Sequence, residues 1–171
     1  DQLLFNGLSR VSLTLFHNEF TNGIEYIPQQ GLEELGIPSV IYNNLPYGAT
    51  DNSEAYRAQG VETEIEVQAT RDLFVRAGYS YTDAQIQRSF SSDAIGPSFN
   101  PDFPTVPIGA YSPLIGARPF RIAPHTGYFE AAYRHSRLFA GLRGTLVGKR
   151  DDSDFLEYDA NYLPTLLLPN H

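Results

Sequence analysis

The chain contains no cysteine, no methionine and no tryptophan. Without cysteine there is no disulfide framework, no thiolate metal site and no cysteine nucleophile. No run approaches the roughly 18 apolar residues of a membrane-crossing helix, and residue 1 does not begin a signal peptide. Positive charge is scarce too. Twelve Lys and Arg stand against 20 Asp and Glu, for a net charge of −8, whereas a nucleic-acid groove needs a basic stripe. Nucleic acid is therefore not an expected partner. The four histidines, His17, His125, His135 and His171, are scattered and form no pair at metal-ligand spacing.

What is present is alternation. In the stretch ETEIEVQATRDLFVRAGYSY, residues 62–81, a β-strand puts Val61, Thr63, Ile65 and Val67 on one face and Glu62, Glu64 and Glu66 on the other. After a polar break at 69–71, Leu73, Val75, Ala77, Tyr79 and Tyr81 alternate with Phe74, Arg76, Gly78, Ser80 and Thr82. The pattern predicts an antiparallel hairpin with one wet face. Five segments carry this period, about 11–26, 56–68, 72–88, 126–134 and 138–150. All 12 prolines lie outside them, as ladder hydrogen bonding requires.

Either register of the hairpin brings Arg76 opposite Glu64 or Glu66, and pairing Phe129 with Gly144 puts Glu130 across from Arg143. The expected polar face is a partly neutralised wall of Glu62, Glu64, Glu66, Arg76, Glu130 and Arg143. Such a wall suits a hydrated lumen and cannot be packed as a dry core. The glycines at 60, 78, 127, 141, 144 and 148 are dispersed through the strands, where they permit bending or close packing. Tyr26, Tyr79, Tyr81, Phe129 and Tyr133 have the character of an interfacial belt, apolar at one end and wet at the other.

Connection lengths also alternate. Short polar turns are expected at 7–10, 69–72 and 135–137, and long connections at about 27–55, 89–117 and from 151 onward. The first long connection contains QQGLEELG, enough for one helical turn; the second is proline-rich and reads as structureless. Such lengths are uncommon in compact soluble domains and normal outside an outer-membrane barrel. The expected fold is all-β, an antiparallel up-and-down meander of about five strands forming a segment of a transmembrane β-barrel, with long loops on one edge. The alternative is a soluble secreted or periplasmic β-domain that binds a glycan or a protein through its long loops.

Candidate ligand contacts lie in those loops: Tyr42, Tyr47, Phe99, Phe103, Tyr111 and Arg118, able to stack on or hydrogen-bond a ligand at the mouth. Asp151, Asp152 and Asp154, with Glu157 and Asp159, offer oxygen ligands to Ca²⁺, yet lack the spacing and glycine of an EF-hand loop. Glu62, Glu64 and Glu66 offer carboxylates without an accompanying nucleophile, so no catalytic residue is expected. No cofactor is called for.

The stretches AYRAQGVETEIE (55–66), LFVRAGYSYTDAQIQ (73–87), RPFRIAPHTGYFEAAYR (118–134) and LVGKRDDSDF (146–155) follow one another as they do late in the barrel of TonB-dependent outer-membrane receptors. SLTLFHNEFTNGIEYI (12–27) is similar to that family's strand with a phenylalanine midway and an isoleucine near its outer end. The resemblance covers nearly the whole chain. It implies residence in the outer membrane of a Gram-negative bacterium and uptake of a scarce nutrient such as an iron chelate, cobalamin or an oligosaccharide. The implied partners are outer-membrane lipid, the nutrient ligand and, only through an N-terminal plug, the TonB complex. Acidic outer loops bind calcium in some relatives. The family's barrel has about twenty-two strands around its plug, so residues 1–171 are expected to be a partial β-barrel domain, with the plug and the remaining strands absent.

Overall fold

The computed structural model describes residues 1–4, 8–99 and 103–152. Among these, β1 (Gln2–Leu4), β2 (Ser9–Ile27), β3 (Ala49–Gln68), β4 (Leu73–Arg88), β7 (His125–His135) and β8 (Leu138–Val147) form one sheet in the order β1-β2-β3-β4-β7-β8. A second, two-stranded sheet joins β5 (Ser98–Phe99) to β6 (Pro107–Ile108). The pairings of β1 with β2, β4 with β7, β7 with β8 and β5 with β6 are antiparallel. The meander is therefore as the period-2 pattern requires, and all five expected strands are present.

Boundaries differ in instructive ways. β3 begins at Ala49, seven residues before its alternation becomes visible, because 49–55 (ATDNSEA) is polar at both parities. Its strand form rests on partners: the Ser53 carbonyl oxygen accepts from Arg88 Nε at 2.9 Å, and the Ser53 hydroxyl donates to Glu25 at 2.5 Å. β8 stops at Val147, where the Gly148 amide turns to the His125 carbonyl oxygen at 2.7 Å. The strand β1 was not anticipated; three residues are too few to display a period.

The tight turns have clear causes. At 69–72, Thr70 Oγ1 accepts from the amides of Asp72 (3.2 Å) and Leu73 (3.0 Å), while Gln68 Nε2 donates to the Thr70 carbonyl oxygen at 2.7 Å. Between β7 and β8 only Ser136 and Arg137 are left, and Ser136 takes a positive φ of 53°. The first two long connections are not structureless, and the third lies almost wholly outside the described residues. QQGLEELG yields α1 (Gln29–Glu34), followed by α2 (Ser39–Tyr42), and the proline-rich connection holds α3 (Ser92–Ile95) and the β5–β6 pair.

The chain divides into two compact units. Unit 1 comprises residues 1–17, 59–83 and 123–149; unit 2 comprises 18–58, 84–122 and 150–171. Unit 1 has a polar and an apolar face. Leu13, Leu15, Ile65, Phe129, Leu142 and Leu146 are all exposed, Leu15 at 77% and Leu142 at 63%. Close approach at glycine fixes its pairing: Tyr128 lies over Gly78, its register partner, and Phe129 lies over Gly144, so that a Cβ at either glycine would enter the ring. An aromatic laid over a cross-strand glycine restores the packing the glycine lacks. Unit 2 has an ordinary interior of Ile27, Leu32, Ala84, Ile86 and Ala110, each at most 4% exposed. Gly31 of α1 abuts Ile27, Ile95 and the Phe90 carbonyl, where a Cβ would collide.

Candidate functional site

On the polar face of unit 1, β3 supplies Glu64 and Glu66, and β4 supplies Arg76. Arg76 Nη2 lies 2.7 Å from Glu64 and its Nε 3.3 Å from Glu66. The two registers considered from sequence thus converge, because one guanidinium spans both carboxylates. Arg10 of β2 contacts the same pair at 3.3 and 3.5 Å, and the Tyr128 hydroxyl donates to Glu64. Arg76 also stands 5.6 Å from the centre of the Tyr128 ring. Arg10 and Tyr128 were not singled out in sequence. Arg10 fell in an expected turn, although it shares the parity of Ser12 and Thr14, which was a usable signal. Glu130 is the register partner of both Arg76 and Arg143. Glu62, Glu64, Tyr128 and Arg143 line an open recess of about 470 Å³ with Ser80 and Thr126. These groups are partly solvated and mutually compensated, which is the chemistry of a wetted wall.

Of the five aromatics expected in a belt, Tyr79 and Tyr81 lie beside the start of β7 and Tyr133 near its finish, whereas Phe129 lies at mid-strand and Tyr26 belongs to unit 2. Near the start of β7, the Tyr79 hydroxyl is 2.7 Å from His125 Nδ1, and the His125 ring lies 5.2 Å from that of Tyr81. At its finish, Tyr133 stacks on His135 at 6.4 Å, and His135 Nδ1 meets Asp72 at 2.8 Å.

Unit 2 holds a different kind of site. A recess of about 530 Å³ is lined by Glu25 of β2, Glu54 of β3, and Ser89, Ser91, Tyr111 and Ser112 of the connection after β4, with further residues around them. Glu25 is its organiser: Ser53 and Ser89 hydroxyls donate to it at 2.5 Å each, and the Phe90 amide at 3.1 Å. Ser89 and Ser91, 2.8 Å apart, are buried. Glu54 is half-buried, and burial, reinforced by the neighbouring Glu25 carboxylate, pushes its pKa above the ordinary value.

The far wall is set by Asp93, which is 2% exposed. Its carboxylate accepts from the amides of Tyr111 at 2.6 Å and Ser112 at 2.7 Å. A buried carboxylate needs such donors, since hydrogen bonds to the charged form offset desolvation. Asp93 thereby ties two distant parts of the proline-rich connection together and presents Tyr111 to the recess.

Of the six loop residues expected at a ligand site, Tyr111 lines this recess, whereas Tyr42, Tyr47, Phe99, Phe103 and Arg118 do not. Tyr47 is 85% exposed and accepts the Tyr26 hydroxyl on its carbonyl oxygen. Tyr42 accepts Gln29 Nε2 on its own carbonyl oxygen. Phe99 and Phe103 are exposed, and Arg118 is half-buried. Glu25 and Asp93 escaped sequence reasoning because their partners lie 18 to 65 residues away, and Glu54 because the charge beside it, Glu25, comes from another strand. Asp152 pairs with Arg121 at 2.8 Å; Asp154, Glu157 and Asp159 lie outside the described residues. No cluster of three metal-ligating side chains occurs among the described residues.

Comparison with known proteins follows the same lines. The family model described as TonB dependent receptor-like, beta-barrel, matches residues 2–165. No curated protein matches the chain.

Proposed function

The chain belongs to the TonB-dependent receptor-like β-barrel family, and from that premise we propose that it forms part of the wall and outer loops of a receptor that takes up a scarce nutrient. The family is one of outer-membrane receptors and transporters, not of enzymes. In this reading residues 1–171 are a partial barrel domain. The nutrient is an iron chelate, cobalamin or an oligosaccharide, and the TonB complex acts through a plug carried elsewhere in the parent protein.

One observation carries the membrane assignment. Unit 1 takes residues 9–17 of β2, 59–68 of β3 and 73–83 of β4, together with all of β7 and β8, which have 11 and 10 residues. Each length falls within the roughly 9 to 11 residues that a tilted strand needs to cross a bilayer. The exposed leucines of these segments then face lipid, and Glu64, Glu66 and Arg76 face the lumen with Glu62, Glu130 and Arg143. Along β7, Tyr133 lies eight residues from His125, the partner of Tyr81. At about 3.4 Å per residue and a tilt near 40° that is roughly 20 Å, close to the apolar band of about 25 Å between aromatic girdles.

The long connections, leaving from the opposite strand ends to the tight turns, face the exterior and meet the ligand. The test is fractionation of the parent protein. It should sediment with outer membranes and migrate differently before and after boiling; recovery as a soluble monomer without detergent would reject the barrel and favour the soluble β-domain.

A further inference from the structure

The recess of unit 2 has an unbalanced polar inventory. Two carboxylates, Glu25 and Glu54, share it, and among the described residues no Lys, Arg or His lines it. Arg88, in the same unit, turns its Nε to the Ser53 carbonyl oxygen. The hydroxyl protons of Ser53 and Ser89 are directed at Glu25, and the Ser112 amide is directed at Asp93. These donors are committed to the framework, and the carboxylates give the recess its net negative charge. Among the described residues no hydrogen bond reaches the Glu54 carboxylate. The wall that holds it is built, not incidental: Ser53, Ser89, Ser91 and Asp93 are all buried.

We infer that this recess receives a positively charged, hydrogen-bond-donating group of the ligand, an amine or a guanidinium, and turns away anionic ligands. The inference rests on the receptor reading above and narrows its ligand class. A cation between Glu25 and Glu54 removes the repulsion between them and interacts in a medium less screening than water. Tyr111, held by Asp93, adds an aromatic side chain of the kind that attracts cations. A phosphate or carboxylate group meets two negative charges instead.

The pH dependence follows from the groups around the recess: Glu25 and Tyr26 on β2, Glu54 on β3, Arg88 on β4, Asp93 on α3, and Tyr111. Glu54, half-buried and beside Glu25, retains its proton above the ordinary carboxylate range. Cation binding is therefore complete above the raised pKa and weakens as pH falls through it.

Calorimetry on the full-length protein in detergent, with spermidine, maltotriose and citrate as probes, tests the inference. Spermidine should bind, maltotriose more weakly by about tenfold or more, and citrate not at all. Glu54→Gln relieves repulsion and so keeps the fold; it should lose at least about tenfold in spermidine affinity. Absence of spermidine binding, equal or tighter binding of maltotriose or citrate, or unchanged affinity in Glu54→Gln would each overturn the inference. The same preparation reports on the receptor reading separately. A heat-modifiable protein that ignores spermidine sinks only the ligand class, whereas a soluble monomer sinks the receptor.

Discussion

In unit 2, Ile27 and Ile86 are withdrawn from the surface, with 0% and 1% exposure; in unit 1, Leu13, Leu15, Leu142 and Leu146 stand out from the sheet at 63 to 77%. The same strands β2, β3 and β4 supply residues to both, so strand propensity does not explain the contrast. Exposed apolar rows of this extent are costly in water. Unit 2 is stabilised by the ordinary hydrophobic effect, closing short helices over the ends of strands. Unit 1 keeps its charged groups together and leaves its apolar groups outward, the arrangement expected where the surrounding solvent is lipid. One chain is thus adapted to two solvents, and the division at residues 17, 58, 83, 122 and 149 marks the change.

That contrast can be broken most forcefully in the interior of unit 2. Ile86→Ala should cost about 2 to 5 kcal/mol, read as faster proteolysis of the connection after β4 while the parent remains heat-modifiable. Loss of the whole barrel would mean that the units do not have separate cores. On unit 1, arginine at Ile65, Val75 or Ala131 should impair assembly by about 2 to 4 kcal/mol near the bilayer midplane. Arginine at Ser80 or Thr82, on the polar face, should be better tolerated. Equal damage from both sets, measured as heat-modifiable protein in outer membranes, would erase the two-faced reading of unit 1.

How far the sequence disclosed this depends on the range of the interactions. Period 2 is local, so β2, the inner part of β3, β4, β7 and β8 were legible, and so was the Phe129–Gly144 pairing that sets Glu130 against Arg143. The outer part of β3, the fold of the proline-rich connection and the recess were not. They rest on Glu25 meeting Ser89 and Phe90, and on Asp93 meeting Tyr111; no periodicity encodes such pairs. Of the charged wall, Glu64, Glu66 and Arg76 were read and Arg10 and Tyr128 were missed, since the former sit in one hairpin and the latter arrive from strands on either side.

Two smaller effects sharpen the comparison. Tyr128→Phe removes one donor from Glu64 in a partly solvated setting and should give a modest fall in the unfolding temperature of the detergent-solubilised parent. A change as large as that of Ile86→Ala would show the polar wall to be a core in its own right. Glu54→Gln should give the smallest shift, and in the opposite direction. A carboxyl whose folded pKa is raised lets stability fall as pH rises through the interval between its unfolded and folded values. Replacement should therefore raise unfolding temperature slightly at neutral pH, with the gain vanishing below the ordinary carboxylate range. Identical pH profiles for the two proteins would contradict the raised pKa.

The aromatic rings laid over Gly78 and Gly144 bear on how assembly avoids error. Alternation by itself forbids a slip of one residue, which would exchange the two faces, but is silent about a slip of two. Shifting β7 by two along β4 would set Tyr128 against Arg76 or Ser80, and shifting it along β8 would set Phe129 against Leu142 or Leu146. Neither ring then has a vacant place to lie. The two glycines act as keyholes that set the observed alignment apart from a slip of two, adding shape to the information that alternation carries.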